Sequence, residues 1–151
     1  MQNLNILNNK ETKKILELVK KQWGCDAKLD YVFLMNKENK IFLANREVFD
    51  IDMEKIRINS LGLYFAELNR DELRLSIEGS QLIGPIATKN VVLLDDSEMR
   101  TWLKGEDVDK EVSESGFVIL KHNGDYMGSG RVKENTILNY VPKTRRLNVS
   151  D

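Results

Sequence analysis

Hydrophobic and polar positions alternate along this chain with two different periods, and the elements follow from where the period changes. In residues 11–23, Ile15, Leu18, Val19 and Trp23 recur at helical spacing, with Leu16 widening the stripe. Asn8 or Asn9 can cap this helix, Glu17 can pair with Lys21, and Gly24 ends it. Its outer side is basic through Lys13, Lys14, Lys20 and Lys21, the ordinary pattern of a solvated face. The period then shortens to two. Tyr31 to Met35 and Ile41 to Ala44 flank the polar turn Asn36-Lys37-Glu38-Asn39 and predict a hairpin. Residues 46–55 fit neither period, although Val48, Phe49 and Ile51 mark a short buried element. Ile56 to Leu68 reads as a strand bent or bulged at Gly62, and Leu73 to Ile77 as another, with Asn69-Arg70-Asp71 turning between them. Glu78 to Ile83 is expected to make a single helical turn.

Gly84-Pro85 is the strong internal break, and a domain boundary is expected just after it, giving domains 1–87 and 88–151. The second part opens with a strand, Asn90 to Leu94. A helix follows through Met99, Trp102 and Leu103, with Asp95 or Asp96 as its cap and Asp95 and Glu98 at capping-box spacing. Val108 and Val112 suggest another short turn. Phe117 to Leu147 then reads as a β-meander. Asn123-Gly124 is its first turn, because both residues accept positive φ at low cost, and Pro142 stops its last strand, Thr136 to Val141.

Composition narrows the function classes. The 151 residues are 41% hydrophobic and 31% charged, ordinary for a soluble globular chain, and the sequence offers neither a bilayer-spanning run nor a signal segment. A cytoplasmic protein without membrane association is expected. One Cys and one His weaken zinc sites and Cys/His catalysis; Cys25 reads as a structural thiol and His122 as a surface residue at a turn. Glu106, Asp107, Asp109 and Glu111 lack the spacing of a calcium loop and read as a solvated acidic face. Gly128-Ser129-Gly130 lacks the third glycine of a dinucleotide fingerprint and leads into a strand, so its glycines read first as permitting a tight strand crossing. No metal, no cofactor and no catalytic pair is expected.

Charge segregation is more informative than the net charge of -1: residues 95–115 hold eight acids and three bases, whereas residues 116–146 hold six bases and two acids. A local field of that kind governs contact with a polyanion at Debye-length range. Lys121, Arg131, Lys133, Lys143, Arg145 and Arg146 are the candidate phosphate contacts. Tyr140 offers a π surface for an unpaired base, and Gly128 and Gly130 offer an edge without side-chain bulk.

The second part resembles a PUA domain, the RNA-binding module named after pseudouridine synthases and archaeosine transglycosylases. The likeness rests on the Val91-Val92-Leu93 strand, on Trp102-Leu103-Lys104-Gly105, and on the Gly124 to Gly130 turn and strand. Leu138 to Arg146 is similar to the end of the PUA-like domain of Sun-family rRNA 5-methylcytosine methyltransferases, which typically reads Lys-Asn-His-Tyr-Pro-Lys. Here Leu138 replaces the Lys, and Val141 separates Tyr140 from Pro142. The first part, through Ser60 to Phe65 and Leu73 to Ile77, looks like the pre-PUA domain of a ribosome-biogenesis factor family. These likenesses imply an α+β chain: a small N-terminal α/β pre-PUA-like domain followed by a C-terminal PUA-like β-barrel. They imply a non-catalytic RNA-binding protein in rRNA or tRNA maturation or ribosome biogenesis. Its partners would be structured RNA and a ribosome-assembly factor or RNA-modification enzyme. Neither a glycine-rich S-adenosylmethionine loop nor that family's catalytic Pro-Cys is found; Gly24 precedes Cys25. The alternatives are a detached RNA-binding subunit of an rRNA cytosine methyltransferase working in trans, and a protein-interaction scaffold using the acidic 95–115 segment.

Overall fold

A computed structural model describes residues 4–46 and 62–146. The fold is α+β, with two five-stranded sheets. The expected buried element within 46–55 and the start of the strand expected from Ile56 fall in 47–61, outside the described residues.

The first sheet runs in chain order: β1 (Asn5–Ile6), β2 (Val32–Met35), β3 (Lys40–Ala44), β4 (Gly62–Asn69) and β5 (Glu72–Leu75), all antiparallel. Helix α1 (Asn9–Trp23) lies against it. Asn8 closes a full capping box with Glu11, and Gly24 ends the helix in the left-handed region at φ 66°. The apolar stripe Ile15, Val19 and Trp23 is fully buried with Phe33, Ile41, Phe65 and Leu73. Gln22 on the same helix serves the sheet edge. Its amide donates to the Leu73 carbonyl at 2.9 Å and accepts from the Leu73 amide at 2.7 Å. One side chain thus satisfies both outward backbone groups of an edge residue, which would otherwise be left without partners.

Two local expectations change around Ser76. The strand ends at Leu75, and Ile77 belongs to helix α2 (Ile77–Ile83), seven residues in place of one turn. The reason lies in Ser76, whose hydroxyl accepts from Gly79 N at 2.9 Å and so caps a helix where alternation alone continues a strand. Gly79 lets α2 lie close on β4, since a Cβ there would fall 2.1 Å from the Phe65 carbonyl oxygen. The chain then passes through a 3-10 turn, Gly84–Ile86.

The second sheet is mixed, in the order β6 (Val91–Leu93), β8 (Gly116–His122), β9 (Asp125–Lys133), β10 (Thr136–Asn139), β7 (Val108–Asp109). Only β6 and β8 pair in parallel. Val108 therefore sits in a strand paired with β10, in place of the expected helical turn. Helix α3 (Asp96–Leu103) starts at Asp95 in a capping box with Glu98 and buries Trp102. The Trp102 indole donates to the Met127 carbonyl at 2.9 Å, which fixes α3 over the sheet. The hairpin turns are Asn123-Gly124 (φ 47° and 88°) and Glu134-Asn135 (φ 47° and 63°), all four residues in the left-handed region that two-residue hairpins require.

The sheets meet at the outer face of β8. Phe117 and Ile119 join the core under α1, whereas Val118 and Leu120 join Trp102 and Ile137 in a second core. The connection between the sheets is stitched at both ends: Thr88 N donates to the Trp23 carbonyl at 2.8 Å, and the Asn90 carbonyl accepts from Ile119 N at 2.9 Å. No helix among the described residues is long and apolar enough to cross a membrane.

Candidate nucleic-acid interface

Strand β9 carries most of the candidate residues, and one glycine decides which way they face. Gly128 adopts φ 99° where the β8–β9 register shifts between Ile119 and Lys121. The bulge turns the strand so that Ser129 lies opposite Ile119 and Arg131 opposite Phe117 on the outer face. Gly128 N also donates to Ser80 Oγ at 2.9 Å, a buried bond that docks α2 on β9. Gly130 points inward. A Cβ there would fall 2.5 Å from Ile137 and 2.8 Å from Trp102, so its missing side chain makes room for the protein's own core.

The candidate cations divide into three settings. Lys133 and Lys143 are exposed, and no carboxylate among the described residues pairs with either. Arg131 is exposed beside them, its guanidinium 5.6 Å from the centre of the Phe117 ring. Lys121 is half-buried over the Tyr126 ring at 5.3 Å. Arg145 and Arg146 turn back onto the molecule. Arg145 pairs with Glu78 on α2 at 2.6 Å. Arg146 Nε donates to the Val141 carbonyl at 2.9 Å, and its side chain lies over Gly105. Burial pushes the Glu78 carboxyl up, but the Arg145 hydrogen bond and charge and the backbone amide outweigh it and leave Glu78 below its ordinary value. The six bases thus do not form one continuous platform.

A cleft of about 400 Å³ opens where the two sheets meet, with Tyr140, Gly128 and Arg145 in its lining. Three residues of its lining escape sequence reasoning. Arg74 from β5 places its guanidinium 4.5 Å from the centre of the Tyr140 ring and pairs with Glu67 across the β4–β5 ladder. Tyr64 is also hydrogen-bonded to Arg74; burial, the largest influence, nonetheless raises its phenol above the ordinary value. Ser129 is buried, and its hydroxyl has no hydrogen-bond partner among the described residues, an arrangement that costs about 1–3 kcal/mol. A partial signal for Arg74 exists in the sequence: Leu73 and Leu75 are buried, so alternation puts Arg74 on the opposite face. Nothing local marks Ser129, because its direction depends on the Gly128 bulge.

The acidic segment is engaged internally. Asp107 accepts from Asn139 N at 2.8 Å, Asp109 from Thr136 Oγ1 at 3.2 Å, and Glu98 from Lys110 Nζ at 2.8 Å. His122 meets Asp96 at 2.8 Å with most of its side chain covered, in place of the exposure expected at a turn. Asn139 is the knot of the last turn: it donates to the Trp102 and Glu106 carbonyls and accepts from Val141 N.

Strand order, the α3 position and the glycine-bulged hairpin define a PUA-like domain. Comparison with known proteins says the same: residues 89–147 match the family model of the methyltransferase RsmF PUA domain. The chain is similar to ribosomal RNA small subunit methyltransferase F of Vibrio cholerae, 24% identical over 140 residues, covering 92% of this chain and 29% of that protein. The protein of that name from Aeromonas salmonicida is 29% identical over 90 residues, covering 59% of this chain and 19% of that protein. The relative from Aeromonas hydrophila is 27% identical over 111 residues, covering 73% and 23%. The chain therefore spans less than a third of the length of these relatives.

Proposed function

We propose that this chain is a non-catalytic, cytoplasmic RNA-binding protein acting in rRNA or tRNA maturation or ribosome biogenesis. It contacts structured RNA through the basic rim of its PUA-like domain. The observation that carries this reading is the match of residues 89–147 to a PUA domain whose outer side holds Arg131, Lys133 and Lys143 in the open. Exposed cations without a counter-charge are the form in which phosphate contacts are made without first breaking an internal ion pair. Lys121, Gly128, Gly130, Tyr140, Arg145 and Arg146 have packing or pairing duties, and in this reading they shape the rim. The proposed division is a pre-PUA-like unit, 1–87, that positions the RNA-binding unit, 88–151. Anisotropy titration against a structured RNA tests the reading. Affinity is expected to fall steeply with salt, and Arg131→Ala with Lys133→Ala is expected to weaken it. Binding indifferent to both would remove the rim.

A second reading, an RNA-binding subunit working in trans with an rRNA methyltransferase, is favoured by the relatives' name and by the match to the Vibrio cholerae protein over both sheets. Co-purification with a catalytic chain would support it, and methylation unchanged after deletion would end it. The scaffold reading loses ground because Asp95, Asp96, Glu98, Asp107 and Asp109 all have partners within the chain.

A further inference from the structure

The cleft between the sheets has a composition that neither sheet has alone. Lys40, Tyr64 and Arg74 come from the first sheet; Ser129, Tyr140 and Arg145 come from the second part of the chain. Its three cations face one lining carboxylate, Glu78, and Glu67 beside Arg74 leaves an excess of one positive charge. A single phosphodiester carries one negative charge, so the balance suits one nucleotide and not a run of them. The volume of about 400 Å³ lies at the lower end of small-ligand sites.

Each lining group matches one part of a nucleotide. The Arg74 guanidinium lies over the Tyr140 ring at 4.5 Å, and Tyr140 keeps 36% of its surface exposed, so together they offer a flat platform to a base. A guanidinium carries five N–H donors, more than Glu67 and the Tyr64 oxygen occupy. Ser129 supplies the observation that points to a ligand. The residue is only 4% exposed, borders the cleft, and its hydroxyl satisfies no group of the protein. Trp23 Nε1 is also without a partner, but it lies in the apolar core under α1 and borders no cleft.

We propose that this cleft seats one unpaired nucleotide of a bound RNA, its base against Arg74 and Tyr140 and its phosphate or ribose hydroxyl hydrogen-bonded to Ser129 Oγ. The inference rests on the RNA-binding reading and deepens it. The rim supplies contact to phosphates at large, whereas the cleft distinguishes a splayed nucleotide from a paired one. A base within a continuous helix cannot enter, because its neighbours hold it in the stack.

The test uses the full chain and two labelled RNAs, a stem with a one-nucleotide bulge and the same stem without it. Anisotropy is expected to show the bulged stem bound about tenfold more tightly, the scale of one base stacked on an aromatic side chain. Ser129→Ala and Tyr140→Leu are each expected to reduce that ratio to about threefold or less. Ser129→Ala removes a hydroxyl that the free protein leaves unsatisfied. Its thermal midpoint without RNA is therefore expected to hold or rise, which separates a weakened ligand site from a damaged fold. Equal binding of the two stems by the unaltered chain, or a ratio that survives both substitutions, would overturn the cleft and leave the rim standing. Failure to bind either stem would overturn both.

Discussion

On the inner side of β8 and β9, Val118, Leu120 and Gly130 lie in a dry core with Trp102 and Ile137; on the outer side, Phe117 and Ile119 give way to Ser129, Arg131 and the cleft. Both sides are built on the same two strands. The inner side fits shape to shape, to the point that a single Cβ at Gly130 has no room. The outer side tolerates a buried hydroxyl with no partner and cations with no counter-charge among the described residues. Neither feature helps the chain fold, since an unsatisfied hydroxyl and unpaired like charges cost stability. Their concentration on one side is what a surface kept for a ligand looks like, and the comparison says which substitutions should damage the fold and which should damage binding.

The largest effect is expected on the inner side. Trp102→Ala removes a fully buried indole and its bond to the Met127 carbonyl. A loss of about 3–5 kcal/mol is expected, enough to unfold much of a marginally stable chain. Denaturant melts followed by circular dichroism measure it. Gly130→Ala comes next. Its Cβ meets Ile137 and Trp102 below contact distance, so overpacking is expected to cost about 1–3 kcal/mol by the same measurement. If Gly130→Ala melted like the unaltered chain and lost RNA binding instead, the assignment of Gly130 to the core would fail.

These two residues also show what the sequence makes legible. Apolar periodicity reveals α1, the β2–β3 hairpin, α3 and the meander, because each needs one buried face and says so at a fixed spacing. Caps are as readable: Asn8, Gly24 and Asp95 all act as their residue types suggest. What alternation misreads is Ser76, where one hydroxyl converts a strand's continuation into a helix, and Val108, whose strand partner lies 29 positions away at Ile137. The candidate site is legible only as a set of types. Which way Arg145 turns depends on Glu78 of α2, 67 positions earlier, and the cleft's Arg74 reaches Tyr140 from the other sheet. Contacts between sheets leave no periodic trace in either.

On the outer side, the expected change is in salt dependence with the fold preserved. Replacing Arg131 and Lys133 together by Ala touches no buried atom, so stability should move by no more than about 0.5 kcal/mol. Affinity for structured RNA should fall alike for every sequence, and the slope of log K against log salt should shrink by about one for each phosphate that is no longer neutralised. An unchanged slope would mean that these cations never meet the RNA backbone, and the two sides would then differ in packing alone.

The smallest effect belongs to the pair that crosses between the two regions. Arg145 and Glu78 lie 2.6 Å apart with side chains 47% and 32% exposed, so solvent screening limits the pair to about 0–1 kcal/mol. The direction is still testable. Glu78 titrates below its ordinary value of 4.5, so its contribution is complete above that value and disappears as pH falls through the depressed folded value. Glu78→Gln should flatten the acid limb of the stability curve in that window and leave neutral-pH stability nearly unchanged. It also frees Arg145 at the mouth of the cleft, so RNA affinity at neutral pH is expected to rise slightly. A fall would mean that Arg145 serves the cleft only while Glu78 holds it in place, which would move this residue from the charged rim to the fixed architecture of the outer side.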